Sequence, residues 1–272
     1  MNTLIEKQYH LPQLFEEILG RLKDNGVNMS SVSRSDIAGV DELHVRGAEV
    51  SKELVEEIGL NGANVLDIGC GLGGPSRMLA DDYNSSVTGI DMSHEFIRTA
   101  QKLSELVGLD DKTVFIQGDA LDLPFEDESF DVVWTQHVQM NIGEKEKFYS
   151  EIDRVLSRRG LFIYYDIFRK GRRDVDYPVP WADNASVSFL GTINTTDCFL
   201  NQLGFSKMQT IDQTVKGTAF LIDLFENLKK NGPPKIGLNV LMGASTKQKL
   251  LNILKGLEEE KIVLQSGIYK KH

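Results

Sequence analysis

The chain has 272 residues, 40 acidic and 30 basic side chains, and a net charge of −10. At about 150 residues per domain this is one large domain, or one domain with a substantial insertion. An acidic balance argues against bulk nucleic-acid binding, which needs a basic surface to displace counterions. Two cysteines, Cys70 and Cys198, are too few for a disulfide framework or a cysteine-rich zinc site. No apolar run approaches the roughly 20 residues of a membrane span. Met1 to Lys7 is charged and lacks the apolar segment of a signal peptide. The expectation is a soluble, cytoplasmic protein with a small-molecule partner, no nucleic acid and no membrane span. A homodimer is left open.

In chain order, residues 1–60 read as a helical cap. Leu11, Leu14, Phe15, Ile18, Leu19 and Leu22 place one apolar stripe on a helix. Ser30 to Asp36 reads as a polar loop, and a second helix runs from about Gly47 to Ile58, closed by Gly59. From Ala63 short apolar runs alternate with amphipathic helices. Strands are expected at Ala63–Ile68, Ser86–Ile90, Thr113–Gln117, Phe130–Thr135 and Leu161–Ile167, with further ones at about Ser206–Gln213 and Ile262–Tyr269. Helices with apolar stripes separate them: Phe96, Ala100, Leu103 and Val107 on one, Phe148, Ile152, Val155 and Leu156 on another, which stops at Gly160. That alternation gives an α/β, doubly wound, mostly parallel sheet. Two stretches interrupt it, residues 169–194 and 216–261. The first holds Tyr177-Pro178-Val179-Pro180-Trp181, a shaped excursion. The second carries Leu221, Leu224, Phe225 and Leu228 on one helix and Leu250, Leu254 and Leu257 on another, parted by Gly232-Pro233-Pro234.

Gly69-Cys70-Gly71-Leu72-Gly73-Gly74 fits G-x-G-x-x-G after a strand and before a helix, whose first position suits Pro75. Glycines let the backbone approach a ligand, and helix N-terminal amides face it. Asp91 ends the second strand, about 20 residues on, where a carboxylate accepts from both ribose hydroxyls. To this point a nicotinamide enzyme fits equally well. Asp67, two residues before Gly69, suits an ammonium group better than a pyrophosphate. Gly118-Asp119-Ala120 follows the third strand, where an acid meets an adenine amino group. Three acids at successive strand ends describe a ligand with adenine, ribose and a cationic end, which looks like S-adenosylmethionine.

VLDIGCGLGG, VTGIDMS, GDALDLPFEDESFDVVWTQHV and GLFIYYDIF, in that order and spacing, resemble the class I S-adenosylmethionine-dependent methyltransferases. The resemblance covers Ala63 to Phe205. It is nearest to the small-molecule branch with sarcosine/dimethylglycine N-methyltransferases and ubiquinone/menaquinone-biosynthesis C-methyltransferases. It implies a seven-stranded Rossmann-like sheet over residues 61–272, with the helical segment and late insertions covering the substrate. Asp41 to Gly47 resembles the segment that precedes the core there and can touch the cofactor. By this resemblance Asp67, Gly69 and Gly71 hold the methionine end, Asp91 and Met92 the ribose side, Asp119 and Ala120 the adenine, and Gln136 the methionyl part. Arg46 could pair with the cofactor carboxylate, or with a neighbouring acid such as Glu42; Asp119 could instead close a turn.

Methyl transfer displaces at a sulfonium carbon, so the protein must position a nucleophile and exclude water. His137, just after the fourth strand, is the candidate base, with a bonded loop histidine as the bland alternative. His44, Gln139 and Asn141 could orient a substrate. Tyr177, Trp181 and Phe189 could receive a cationic amine or an apolar chain. No metal is expected. The favoured activity is methyl transfer to an amine nitrogen; C-methylation of a quinone or isoprenoid, a nicotinamide oxidoreductase and a non-catalytic cofactor-binding protein stay open.

Overall fold

The computed structural model describes residues 11–272, and the reading on Met1 to Lys7 lies outside them. Seven strands form one sheet in the order β3-β2-β1-β4-β5-β7-β6. They are β1 Asn64–Ile68, β2 Ser86–Asp91, β3 Thr113–Gln117, β4 Phe130–Gln136, β5 Leu156–Arg169, β6 Ser206–Asp212 and β7 Ile262–Lys270. The first five pair in parallel, and β7 runs antiparallel to both β5 and β6. The mostly parallel, doubly wound expectation therefore holds. The order reverses between β1 and β4, and a ligand crevice opens at the strand ends of such a switch point.

The helices are α1 Leu14–Asp24, α2 Arg34–Asp41, α3 Ala48–Ile58, α4 Gly74–Asp82, α5 His94–Leu106 and α6 Lys145–Val155, then α7 Ile193–Gln202, α8 Thr214–Asn231, α9 Asn239–Met242 and α10 Thr246–Glu258. Two boundaries differ from expectation. The stretch read as a loop contains the start of α2: Ser33 and Asp36 form a reciprocal capping box, a helix-start signal inside a polar run. Likewise α6 stops at Val155, and β5 begins at once, because Leu156 pairs with Phe130 on β4 and Arg159 turns the strand at φ 65°.

The sheet is buried on both faces, so alternate residues of β5 feed two cores. Ile163, Tyr165 and Ile167 join Trp134, Val132 and helix α10 on one side. Phe162, Tyr164 and Phe168 join Phe148, Ile152 and Leu200 on the other. The predicted stripe of α1 buries Leu14, Ile18 and Leu22 in a third cluster with Ile37, Val40, Leu72, Phe96 and Val240. That cluster joins the N-terminal helices to the glycine loop and to α9.

The seam between cap and sheet is polar at its centre. Arg77 on α4 is fully buried and meets Asp41, the last residue of α2, at 2.6 Å. Its remaining donors reach the carbonyls of Leu72 and Ala100 and the Ser104 hydroxyl. A Cβ on Gly74 would stand 2.0 Å from the Asp41 carbonyl oxygen, so glycine is what lets the cap approach this closely.

Candidate active site

One cavity of about 1370 Å³ runs from the carboxyl ends of β1, β2 and β4 to the helices between β6 and β7. That exceeds the ~300–1,000 Å³ of an ordinary single-ligand site, so two molecules fit side by side.

At the sheet end the wall is Asp67, Gly69, Cys70, Gly71, Asp91, Met92, Gly118, Ala120 and Gln136. Gly69 and Gly71 both have positive φ, at 71° and 54°. Close packing adds to the requirement, because a Cβ on Gly69 would lie 2.5 Å from Val138 Cγ2. Asp91 accepts from the Gly71 amide at 3.1 Å and the Ser93 amide at 2.9 Å, tying β2 to the loop. Asp67 accepts from the Ser76 hydroxyl at 2.6 Å. Burial pushes Asp67 up to about 7, with Ser76 opposing, and raises Asp91 as well. Glu42, named from sequence only as an alternative partner of Arg46, stands on the same wall. Its Oε2 is buried with the His44 ring nitrogen at 3.1 Å, and burial, reinforced by Asp41, lifts its carboxyl to about 8. Four acids, Asp41, Glu42, Asp67 and Asp91, line this end of the cavity, only Asp41 is paired with an arginine, and no lysine or arginine shares that stretch of wall among the described residues. That donor set fits a cationic ligand, as an ammonium and sulfonium would be, whose charge would return the acids to their ionised form.

Midway, His137 and His44 flank the cavity. His137 is held at φ 53°, with its amide donating to the Tyr165 carbonyl at 2.8 Å. Positive φ in a bulky residue costs energy and marks a conformation imposed by its surroundings. Its Nε2 is buried with no partner, and burial holds the ring well below the ordinary histidine range. A neutral imidazole with an unpartnered nitrogen can share a hydrogen bond with a ligand in either tautomer. His44 lies 5.9 Å away, ring to ring, and is pushed down to about 4 by burial. Its Nε2 lies 3.0 Å from the Gly47 carbonyl, 3.3 Å from Ser51 Oγ and 3.1 Å from Glu42 Oε2.

The loop carrying His137 is set by β5. Asp166 accepts from the amides of Val138 at 3.2 Å and Gln139 at 3.1 Å, and from its own neighbour Ile167 at 2.9 Å. Lys145 then caps the carbonyls of Gln139, Ile142 and Phe189, which fastens the excursion to the same loop. Asn141 donates to the Trp181 carbonyl at 2.9 Å, and the Trp181 indole donates to Ser188. Asn141 and Trp181 both reach the cavity wall.

Several expected residues are placed elsewhere. Arg46 turns away from the cavity: its guanidinium lies 2.7 Å from Glu53, 2.8 Å from Glu49 and 3.0 Å from Gln213. Its alternative partner Glu42 is not used either. Gln139 points back into the protein, donating to the Ile167 carbonyl at 2.5 Å. Tyr177 packs against the core cluster of Trp134 and Tyr165, and the wall does not include it. Asp119 closes a turn by accepting from the Leu121 amide at 2.9 Å, while Gly118 and Ala120 on either side reach the wall. Gln136, by contrast, stays on the wall, where its side chain accepts from the Trp134 indole at 3.0 Å and exchanges bonds with Ser51.

The far half was expected only through the resemblance, as late insertions covering the substrate, and none of its α8 to α10 residues was named as wall. Phe220, Leu221, Leu224, Phe225 and Leu228 of α8, Leu241 and Met242 of α9, and Leu250, Leu251 and Ile253 of α10 close over it. Their stripes were legible, but a helical stripe cannot say whether it covers a core or a void.

Residues 66–164 match the family model described as a methyltransferase domain. Over 114 residues the chain is 40% identical to a sterol 24-C-methyltransferase of Gibberella zeae, covering 42% of this chain and 30% of that one. Over 210 residues it is 32% identical to the chloroplastic tocopherol O-methyltransferase of Arabidopsis thaliana, covering 73% and 60%. The chain thus spans less than two thirds of the length of these curated relatives. Phosphoethanolamine N-methyltransferase 2 of Haemonchus contortus, solved with S-adenosyl-L-methionine, superimposes with a TM-score of 0.72 at 19% identity, over 86% of this chain and 55% of that one. The [4+2]-cyclase SpnF superimposes with a TM-score of 0.65 at 19% identity, over 97% and 96%. Residues 66–164 thus match a methyltransferase domain, and the fold around them superimposes on an enzyme solved with S-adenosyl-L-methionine.

Proposed function

We propose that this methyltransferase domain transfers a methyl group to a large apolar acceptor, a prenylated quinol or related lipid-like molecule, bound under α8, α9 and α10. The observation that carries the reading is the apolar far half of the cavity, continuous with the histidine pair. A small zwitterionic amine, the acceptor favoured from sequence, would leave that volume unfilled. The tocopherol and sterol enzymes among its relatives point the same way.

S-adenosylmethionine, when bound, supplies a methyl group on a sulfonium. Asp67 and Glu42 bind the cationic end, Asp91 the ribose, and Gly118 to Ala120 the adenine edge. His137 Nε2 takes the proton that an acceptor hydroxyl or ring carbon must lose. Neutral imidazole is the form that this role needs, and burial keeps it neutral. Asp166 acts through the loop, holding the amides of Val138 and Gln139 so that His137 stays in place. Trp181 and Asn141 shape the wall between histidines and roof. The apolar roof excludes water from the reacting atoms.

The test is transfer of a labelled methyl group to prenylated hydroquinones of graded chain length and to sarcosine. Labelled quinol is expected, with KM falling roughly fourfold per added methylene until the cavity is full, from about 0.8 kcal/mol each. Labelled sarcosine with inert quinols would return the reading to the amine. Because a cyclase shares the fold, binding of the cofactor alone does not establish transfer, and the assay must read the methyl group.

A further inference from the structure

The chain carries −10 overall, but residues 227–257 hold six lysines and no aspartate or glutamate, which leaves −16 on the remainder. That stretch is the roof of the cavity, from the end of α8 through α9 to α10. Lys249 is taken up by Asp183 at 3.0 Å and Lys255 by Asp176 at 2.6 Å. Lys230 reaches Glu226 at 3.8 Å, one helical turn back. Lys229, Lys235 and Lys247 are exposed and make no ion pair among the described residues. Lys229 and Lys247 stand on the cavity rim together with Pro233 and Pro234. Phe225 and Lys229 lie one turn apart on the face that reaches the cavity, whereas Asp223 and Glu226 do not reach its wall.

We propose that this lysine-bearing rim docks the protein on an anionic lipid surface, with the cavity mouth towards the bilayer. Charge complementarity carries the proposal. Lysines close to an anionic bilayer are attracted to it over about one Debye length. The strongly negative remainder is repelled by the same surface, so the molecule is oriented with its roof down. The orientation puts the apolar opening where a lipid-like acceptor is dissolved, and that part rests on the apolar-acceptor reading. The attachment is peripheral: no helix among the described residues is long and apolar enough to cross a membrane.

The test is flotation of the full chain with phosphatidylcholine vesicles, with and without phosphatidylglycerol, at low and high salt. The triple variant Lys229→Gln, Lys235→Gln, Lys247→Gln is run beside it. Binding only to the anionic vesicles is expected, lost at high salt and weakened on the order of a hundredfold in the triple variant. The variant should keep its thermal midpoint and its affinity for S-adenosylhomocysteine, which shows that it is folded. No binding to anionic vesicles, equal binding to neutral ones, or unchanged binding by the variant would overturn the proposal. If the lysines instead hold an anionic group of the acceptor, vesicle binding is absent while the variant's acceptor KM rises, and the docking proposal falls. Vesicle binding is read with no acceptor present, so it fails or succeeds independently of the acceptor's identity.

Discussion

His137 Nε2 is buried without a partner, and Glu42 Oε2 has only the His44 ring nitrogen beside it at 3.1 Å, so a ligand can complete both. For His137 the consequence is kinetic. His137→Ala should lower kcat by about 10²- to 10⁴-fold, as loss of a general base does. S-adenosylhomocysteine affinity should stay put; normal turnover in that variant would reduce His137 to a wall residue. For Glu42 the consequence is a pH dependence. Its folded pKa of about 8 lies above the ordinary glutamate value, so between the two the folded protein holds more protons than the unfolded chain. Stability from this group is fully present at low pH and is lost as pH rises towards 8. Asp67, raised to about 7, works in the same direction. His44 and His137, both lowered, act oppositely, but only below the ordinary histidine value of about 6.5. Lys145, lowered to about 8, acts oppositely only above that pH. The window from about 6.5 to 8 therefore belongs to the carboxyls. The ligand-free thermal midpoint should fall across it, and Glu42→Gln should flatten the fall. A midpoint equally steep in Glu42→Gln would show that Glu42 is solvated.

Between elements, the Asp41–Arg77 pair decides whether the cap stays on the sheet. Removing one partner leaves the other buried and uncompensated, so Asp41→Asn should cost about 3–5 kcal/mol in denaturant unfolding. Because α2 leads straight into Glu42 and His44, it should also weaken cofactor binding; a cost under 1 kcal/mol would mean that solvent reaches the pair. At this scale the sequence was a good guide wherever one residue type carries one conformation. Gly59 ends α3 at φ 63°, Pro75 opens α4, and the stripe of α5 buries Phe96, Ala100 and Leu103. It was a poor guide where a signal was short or a partner distant. The Ser33–Asp36 box is four residues inside a polar run, and β5 extends back to Leu156 only because β4 is there to pair with it. Arg46 failed for a related reason. A guanidinium suits a carboxylate in either direction, and Glu49 and Glu53 on the following helix lie nearer than the cavity.

For the whole molecule, the glycine loop and the strand-end acids were legible because their spacing is set by backbone approach to one ligand. Asp67 and Asp91 reach the cavity as that logic requires, whereas Asp119 closes a turn and leaves the wall to Gly118 and Ala120. The acceptor half was legible only through the resemblance, which made the late insertions a substrate cover; the residues alone did not show it, because α8 and α10 carry stripes that would look the same over a solid core. Only the assembled volume of about 1370 Å³ shows that the stripes enclose a space. The account stands or falls on whether the sheet end of that space holds the adenosyl cofactor. Calorimetric titration of the protein with S-adenosylhomocysteine, beside the variant Asp91→Ala, tests this most directly. The account predicts saturable one-to-one binding, weakened on the order of 10- to 100-fold by the variant through the lost charge-assisted bonds. Absence of binding, or an affinity that Asp91→Ala leaves unchanged, would contradict it.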